Sequence, residues 1–170
     1  MEDLKAYRIG FKGLADGLHN FEFRVSGEFF EAFELEDWQE ADLLFKVVLE
    51  KKSTIMELDV VMEGLLRLPC DRCNVMMDVP MTTQENWVVK FGSQEEDGII
   101  VLSEEEHELD MSHIFYEAAV LAAPKRVVHE EGECDPRVLE ILEYRQERDK
   151  EDTDPRWDAL KALKNDLKNR

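Results

Sequence analysis

Two long runs of alternating side chains follow one another along the chain, and they limit the fold more than any other feature. Residues 41–51 and 54–68 are rich in apolar and β-branched side chains, and only Lys52 and Ser53 separate them. Side chains on an extended chain point alternately to the two faces of a sheet, so this period of two is typical of half-buried strands. The two runs therefore predict a pair of adjacent antiparallel strands.

Other strands are predicted on both sides of this pair. Residues 19–25 place Phe21 and Phe23 on one face and polar residues on the other. Residues 75–91 predict a further long strand, and residues 99–102 a short one. The first half of the chain is therefore expected to form mainly β-structure.

The second half is expected to become helical. Residues 111–123 carry apolar residues at helical spacing, with Asp110 before them as a possible cap and Pro124 after them as a stop. The Asp-Pro-Arg sequences at 135–137 and 154–156 predict two more helix starts, with Asp as N-cap and Pro at the first helical position. A single helical turn capped by Ser26 is also predicted. The fold class is α+β, an antiparallel curved or barrel-like sheet followed by C-terminal helices.

The uneven distribution of charge favours two domains, and the sign of the net charge favours a basic partner. The net charge is −19, but residues 137–170 contain nine basic and nine acidic side chains, so the excess acid lies in residues 1–136. We expect residues 1–136 to form an acidic β-rich domain, to which a helical segment, 137–170, is packed or tethered. Such a field repels phosphate, which argues against a broad nucleic-acid surface and favours a basic protein. Residues 95–110 contain eight carboxylates and no Lys or Arg, and the clusters 95–97 and 104–108 form either a solvated loop or the contact for such a partner.

The end of the chain combines an apolar stripe with basic charge. From residue 155 onward there are five basic and two acidic side chains. The stripe has the three- and four-residue spacing of a helix face and consists of Trp157, Leu160, Leu163 and Leu167. Packing on the core and docking to a partner are both consistent with this pattern.

The three cysteines suggest a metal site. Cys70 and Cys73 have the C-x-x-C spacing that can place two thiolates on one metal ion, and His129 and Cys134 form a second local pair. Together they would make a closed Cys3His set, which suits one structural zinc ion rather than catalysis. Two alternatives remain open, namely a redox pair at Cys70 and Cys73, and a plain turn beside an unrelated acidic loop.

Catalytic signals are weak in this sequence. It contains no G-x-S-x-G, no glycine-rich phosphate loop and no H-E-x-x-H, and His19, His107 and His113 are best explained as surface residues. We therefore expect no catalytic residues, no enzyme activity and no further cofactor. Without a signal peptide or an apolar run long enough to span a membrane, and with an odd number of cysteines, a cytoplasmic location is expected.

Three stretches resemble the bacterial family of the large ribosomal RNA subunit accumulation protein YceD. The sequence 68–73 is similar to the family's C-x-R-C segment between strands, and 109–124 resembles its apolar helix with a proline stop. The sequence 129–134, followed by 154–160, is similar to the cysteine-bearing region and the terminal P-R-W-x-x-L segment.

The resemblance implies a cytoplasmic, non-enzymatic factor in ribosome biogenesis that supports synthesis, processing or stability of large-subunit ribosomal RNA. We expect it to bind a basic ribosomal protein or a large-subunit precursor, with weak or indirect RNA contact and no membrane contact. The family's cysteines strengthen the case for zinc at Cys70, Cys73, His129 and Cys134. A thiol redox enzyme and a general acidic interaction module are the alternatives.

Overall fold

The computed structural model describes residues 4–92 and 97–151, with side chains described as far as Arg145. In chain order the strands and helices are β1 (Arg8–Gly10), β2 (Gly17–Ser26), α1 (Gly27–Glu31), β3 (Ala41–Lys51), β4 (Ile55–Pro69), β5 (Met76–Phe91), β6 (Ile99–Leu102), β7 (Glu108–Asp110), α2 (Ser112–Ala122) and α3 (Pro136–Glu151). Two 3₁₀ turns, Leu4–Tyr7 and Glu36–Trp38, precede β1 and β3.

The chain forms two compact units. One, here called the sheet unit, contains residues 1–69 and 76–127, and the other, the cysteine unit, contains residues 70–75 and 128–170. The expected domains 1–136 and 137–170 stay a prediction, because residues 152–170 lie outside the described part of the chain.

The main sheet has five strands in the order β2-β3-β4-β5-β6. The first three neighbouring pairs are antiparallel, as predicted, but β5 and β6 run parallel. The expectation of a barrel-like sheet is wrong, because the sheet is open, with β2 and β6 at its edges among the described strands. Closure requires the edge strands to pair, and β6 has only four residues against ten in β2.

The period of two predicted from the sequence is present in the paired strands. Phe45 of β3 lies opposite Met62 of β4, and Val47 lies opposite Val60, which places all four on one face. These side chains are at most 1% exposed. Their neighbours along the strands are exposed, as Lys46 is, or half-buried, as Val48 is. The buried face of the sheet therefore forms one wall of the core, as the alternation requires.

Helix α2 supplies apolar side chains to this core. The Phe115 ring stacks on Phe45 at a centroid distance of 4.3 Å and lies 5.2 Å from Phe23. Ile114, Ala118 and Phe115 are all buried. Removing such large side chains from water stabilises the fold by roughly 1.5–3 kcal/mol each. The predicted helix 111–123 is thus confirmed to within one residue at each end.

A second, two-stranded sheet was not predicted. Strands β1 and β7 are antiparallel, with Ile9 opposite Leu109, and both of these side chains are 1% exposed. Strands of three residues are too short to show an alternating pattern, so nothing in the sequence marks them.

The predicted helix starts have mixed outcomes. Asp135 caps α3, because its carboxylate accepts a hydrogen bond from the backbone N–H of Arg137 at 2.9 Å. The predicted helical turn after Ser26 is present as α1, with Ser26 at its N-cap position, but the Ser26 side chain makes no cap hydrogen bond. The start of α1 is instead fixed by packing, since a Cβ at Gly27 would lie 1.9 Å from the carbonyl oxygen of Gln39.

Two further expectations lie outside the described residues, namely the Asp-Pro-Arg start at 154–156 and the stripe formed by Trp157, Leu160, Leu163 and Leu167. Among the described residues, no helix combines the length and the apolar character needed to cross a membrane.

Candidate metal centre

Cys70 and Cys73 lie on a tight turn, Cys70–Val75, that follows β4 and precedes β5. The backbone N–H of Cys70 donates to the carbonyl of Val75 at 2.9 Å, and that of Asn74 donates to the carbonyl of Cys70 at 2.8 Å. Asn74 has a φ of +59°, the left-handed conformation that asparagine tolerates better than most residues. The turn thus folds the chain back immediately after the second cysteine.

His129 and Cys134 lie on the irregular loop before α3. Gly132 has a φ of +92°, which favours glycine, and the backbone N–H of Glu133 donates to the carbonyl of Glu130 at 3.2 Å. Asp135, directly after Cys134, caps α3. The loop therefore holds Cys134 between a tight turn and a helix end.

The four predicted ligand residues come together in the cysteine unit. Their ligand atoms all lie within 4.8 Å of one another. The Sγ atoms of Cys70 and Cys134 are 3.9 Å apart, and Nδ1 of His129 lies 3.4 Å from Sγ of Cys73 and 4.0 Å from Sγ of Cys134. A tetrahedral zinc ion with usual bond lengths separates two sulfur ligands by about 3.8 Å, and a sulfur from a nitrogen by about 3.5 Å. The observed spacing fits such an ion.

Burial and hydrogen bonding give the thiols unequal acidity. Cys70, Cys73 and Cys134 are 1%, 6% and 2% exposed, and His129 is half-buried. Burial raises the pKa of the Cys70 thiol, but hydrogen bonds from the backbone of His129, Cys73 and Arg72 outweigh it and lower that pKa to about 5. Burial, together with hydrogen bonds to Cys73 and Cys70, raises the pKa of Cys134. Several thiols this close therefore need a cation before all of them can ionise.

Arg72 is a further residue of this cluster. Its backbone N–H donates to Sγ of Cys70 at 3.4 Å, and its guanidinium Nη1 donates to Sγ of Cys134 at 3.8 Å. The amide hydrogen places a partial positive charge, and the guanidinium a full one, against sulfur, which favours the thiolate that a metal requires. The sequence analysis missed this role, although the position of Arg72 inside the C-x-x-C segment was a signal for it.

The arrangement is suited to a structural metal ion. Three thiols and one imidazole would fill a tetrahedral site, which leaves no open position for a water or substrate. A thioredoxin-type pair is expected at the start of a helix, whereas Cys70 and Cys73 lie on a turn between strands. A reactive cysteine is also expected to be partly exposed, unlike these.

The other histidines lie outside the cluster. His19 bonds the carbonyl of Ala15 through Nε2 at 2.8 Å, and His107 contacts Nζ of Lys12 through Nδ1 at 3.0 Å. His113 is exposed on α2, where its ring lies 5.4 Å from that of Phe33. None of these three lies in the metal-ligand cluster.

The acidic segment is described in part. Residues 104–108 are exposed, and the Glu106 carboxylate accepts a hydrogen bond from the backbone N–H of Ser103 at 3.0 Å. Glu95 and Glu96 lie outside the described residues, whereas Asp97 is exposed.

The family comparison agrees with the motifs in the sequence. The model of the family described as "Large ribosomal RNA subunit accumulation protein YceD" matches residues 58–164, more than half of the chain. This chain belongs to the YceD family. The matched range contains all four ligand residues of the cysteine unit, and the family description names an accumulation protein rather than an enzyme. No curated protein and no solved structure matches significantly.

Proposed function

We propose that this YceD-family protein is a non-enzymatic factor that supports the synthesis, processing or stability of large-subunit ribosomal RNA. The observation that carries this proposal is the family match over residues 58–164. A cytoplasmic location is part of the proposal, because bacterial ribosomal RNA is made and assembled in the cytoplasm.

The protein acts in this proposal by binding a basic ribosomal protein or a precursor particle that contains one. The net charge of −19 supports a basic protein partner, since bare RNA would be repelled over most of the surface. The exposed carboxylates of residues 104–108 are available for such a contact. Contact with RNA is weak or indirect in this scheme.

One structural zinc ion in the cysteine unit is the second part of the proposal. Cys70, Cys73, His129 and Cys134 are the ligands, and the spacing of their ligand atoms supports the assignment. Zinc would tie the turn after β4 to the loop before α3. Elemental analysis of purified protein should give about one zinc per chain, and a Cys70→Ser/Cys73→Ser variant should give well under that. A wild-type zinc content near zero would contradict the assignment.

The test of function is a depletion experiment in the native host. Loss of the protein should lower large-subunit ribosomal RNA relative to small-subunit ribosomal RNA, and wild-type protein should restore the ratio. The protein should also sediment with large-subunit precursors at low salt and be released as salt rises, because exposed charges are screened within about 10 Å at 0.1 M. An unchanged ratio on depletion would contradict the proposed function.

Thiol redox chemistry at Cys70 and Cys73 is the second candidate function, because the backbone N–H of Arg72 donates to Sγ of Cys70 at 3.4 Å and so favours its thiolate. Titration with a thiol reagent separates the two candidates. Slow labelling in native protein that becomes fast after a zinc chelator is added supports the metal site. Two thiols that react quickly in metal-free native protein would support the redox alternative.

A further inference from the structure

Three rings form an aromatic cluster where the end of α1 meets α2. The Phe33 ring stacks on that of Tyr116 with centroids 4.5 Å apart and planes 16° from parallel. The His113 ring meets Phe33 edge-on at 5.4 Å. Phe33 and Tyr116 are half-buried and His113 is exposed, so the rings are open to solvent on one side.

The same face of α2 carries apolar side chains that the core leaves exposed. Val120 lies one helical turn after Tyr116 and is 37% exposed, and Leu121 lies one turn after Glu117 and is 70% exposed. Phe115 and Ala118 of the same helix are buried instead. We call the surface formed by Phe33, His113, Tyr116, Val120 and Leu121 the aromatic patch. An exposed group of aromatic and aliphatic side chains is typical of a protein-binding site.

The chain on the Phe33 side of the patch is strongly acidic. Between residues 28 and 40 there are six exposed carboxylates and no Lys or Arg: Glu28, Glu31, Glu34, Glu36, Asp37 and Glu40. Among residues with described side chains, Glu40 alone of the six has an ion-pair partner, Arg67 at 3.1 Å. Glu117 adds an exposed carboxylate on α2 itself. The remaining carboxylates form no ion pair with any described side chain.

We propose that the aromatic patch and these carboxylates bind an arginine-rich segment of a basic protein. This inference rests on the proposed function and adds a second contact surface for the same partner. A guanidinium group stacks on aromatic faces such as those of Tyr116 and Phe33, and its N–H fork pairs with carboxylates such as Glu117. The alkyl part of arginine covers exposed apolar surface such as Leu121. Rings beside unpaired carboxylates therefore match the chemistry of arginine better than that of any other side chain.

The charge around the patch argues against other macromolecules. RNA bases also stack on aromatic rings, but single-strand binding needs basic residues along the phosphate backbone. Residues 27–40 and α2 contain no Lys or Arg. Anionic membranes require the same positive charge. Both are repelled by the carboxylates that attract arginine.

The test uses the full-length protein and a fluorescein-labelled peptide of twelve alternating arginine and alanine residues, followed by anisotropy at about 0.1 M salt. A patch variant, Glu31→Lys/Glu117→Lys, is compared with a matched variant, Asp16→Lys/Glu22→Lys, which changes two exposed carboxylates elsewhere on the sheet unit. Both change the net charge equally, so long-range attraction falls equally. We expect the patch variant to bind at least about tenfold more weakly and the control variant within about threefold of wild type. Equal losses would show attraction by the overall field and overturn the proposal.

A second measurement removes apolar surface without changing charge. Leu121→Ser alters a side chain that is 70% exposed, so the fold is kept, and Tyr116→Ser removes a ring of the patch. Binding should weaken by about threefold for Leu121→Ser and more for Tyr116→Ser. Unchanged binding in both would overturn the proposal. Replacing arginine by lysine in the peptide should also weaken binding, since lysine lacks the planar fork.

Two further probes decide between partners. A single-stranded RNA of twelve nucleotides and vesicles rich in phosphatidylglycerol should not bind detectably under the same conditions. Tighter binding of either than of the peptide would overturn the proposal. The ribosomal RNA ratio after depletion is measured separately. If the patch variants lose peptide binding but still restore a normal ribosomal RNA ratio, the patch has no part in the function. The proposed function itself would then stand.

Discussion

Among the described residues, the fully buried side chains of the sheet unit are large apolar groups such as Phe45 and Leu49, whereas the buried side chains of the cysteine unit are Cys70, Cys73 and Cys134. The sheet unit therefore has a hydrocarbon core that stabilises it by removing apolar area from water. The described part of the cysteine unit has thiols in place of such a core. A unit of that kind needs ligand bonds to one ion for stability, as small metal-dependent domains do.

Removal of the metal should have the largest effect on stability, because it should unfold the cysteine unit and leave the sheet unit folded. In zinc-finger peptides, zinc binding supplies roughly 10–16 kcal/mol of apparent free energy, which becomes folding free energy. We therefore expect a chelator to abolish protection of backbone amides in residues 70–75 and 128–135 while the amides of β3 and β4 stay protected. Hydrogen exchange followed by mass spectrometry measures both regions in one sample. Equal protection with and without chelator would show that packing holds the cysteine unit.

Truncation of a core side chain should instead destabilise the sheet unit and leave the zinc content unchanged. Phe45 is 0% exposed and stacks on Phe115 at 4.3 Å, so Phe45→Ala should lower the free energy of unfolding of the sheet unit by about 3–5 kcal/mol. Urea denaturation followed by circular dichroism measures the loss. Lys46→Ala, next to it on the exposed face, is the control and should change the value by less than about 1 kcal/mol. A zinc content that falls with Phe45→Ala in the folded protein would contradict this expectation, because it would show that the metal site depends on the core.

The sheet could be predicted in detail because β3, β4 and β5 are long enough for a period of two to be unambiguous. The open edge formed by β6 could not be predicted. The direction of this four-residue strand depends on the path of the chain after β5, and no local sequence pattern specifies that path. The pairing of Ile9 with Leu109 joins positions a hundred residues apart through three-residue strands, which leave no periodicity.

The ligand residues of the candidate site could be named from spacing and residue type alone, because metal ligation demands specific side chains. The contacts of Arg72 depend on the conformation of the turn, which a sequence motif does not specify. The aromatic patch was missed for a similar reason. Phe33 and Tyr116 are distant in sequence, and each alone fits an ordinary amphipathic pattern.

A smaller effect, on the affinity for zinc, is expected from replacing Arg72. This residue offsets charge at the metal site without being a ligand. Three thiolates and one zinc ion leave one net negative charge, which the guanidinium offsets at 3.8 Å from Cys134. Arg72→Gln should weaken zinc binding by about tenfold, a typical effect for a partner of a ligand. Competition with a chromogenic chelator measures the affinity. The control Arg137→Gln removes an exposed charge from the same unit and should leave the affinity within about twofold.

The smallest effect on stability is expected from replacing Asp110, which lies just before α2 in the sheet unit. Its carboxylate accepts hydrogen bonds from the backbone N–H of Ser112, at 3.0 Å, and from the Ser112 hydroxyl, and it contacts Arg8 at 3.3 Å. Burial raises the pKa of Asp110, but these hydrogen bonds and Arg8 outweigh it and lower the pKa below its ordinary value. Asp110→Ala should therefore cost about 1 kcal/mol at pH 7, as for the loss of a helix cap.

The pH dependence of this cost follows from the direction of the shift. A carboxylate whose pKa is lower in the folded than in the unfolded state stabilises the fold above its unfolded pKa of about 3.9. That stabilisation is lost as the pH falls through the lower, folded value. The difference between wild type and Asp110→Asn, which retains an oxygen acceptor but no charge, should accordingly be present at pH 7 and shrink below pH of about 4. Urea midpoints at both pH values measure it, and a difference that grows as the pH falls would contradict the assigned direction.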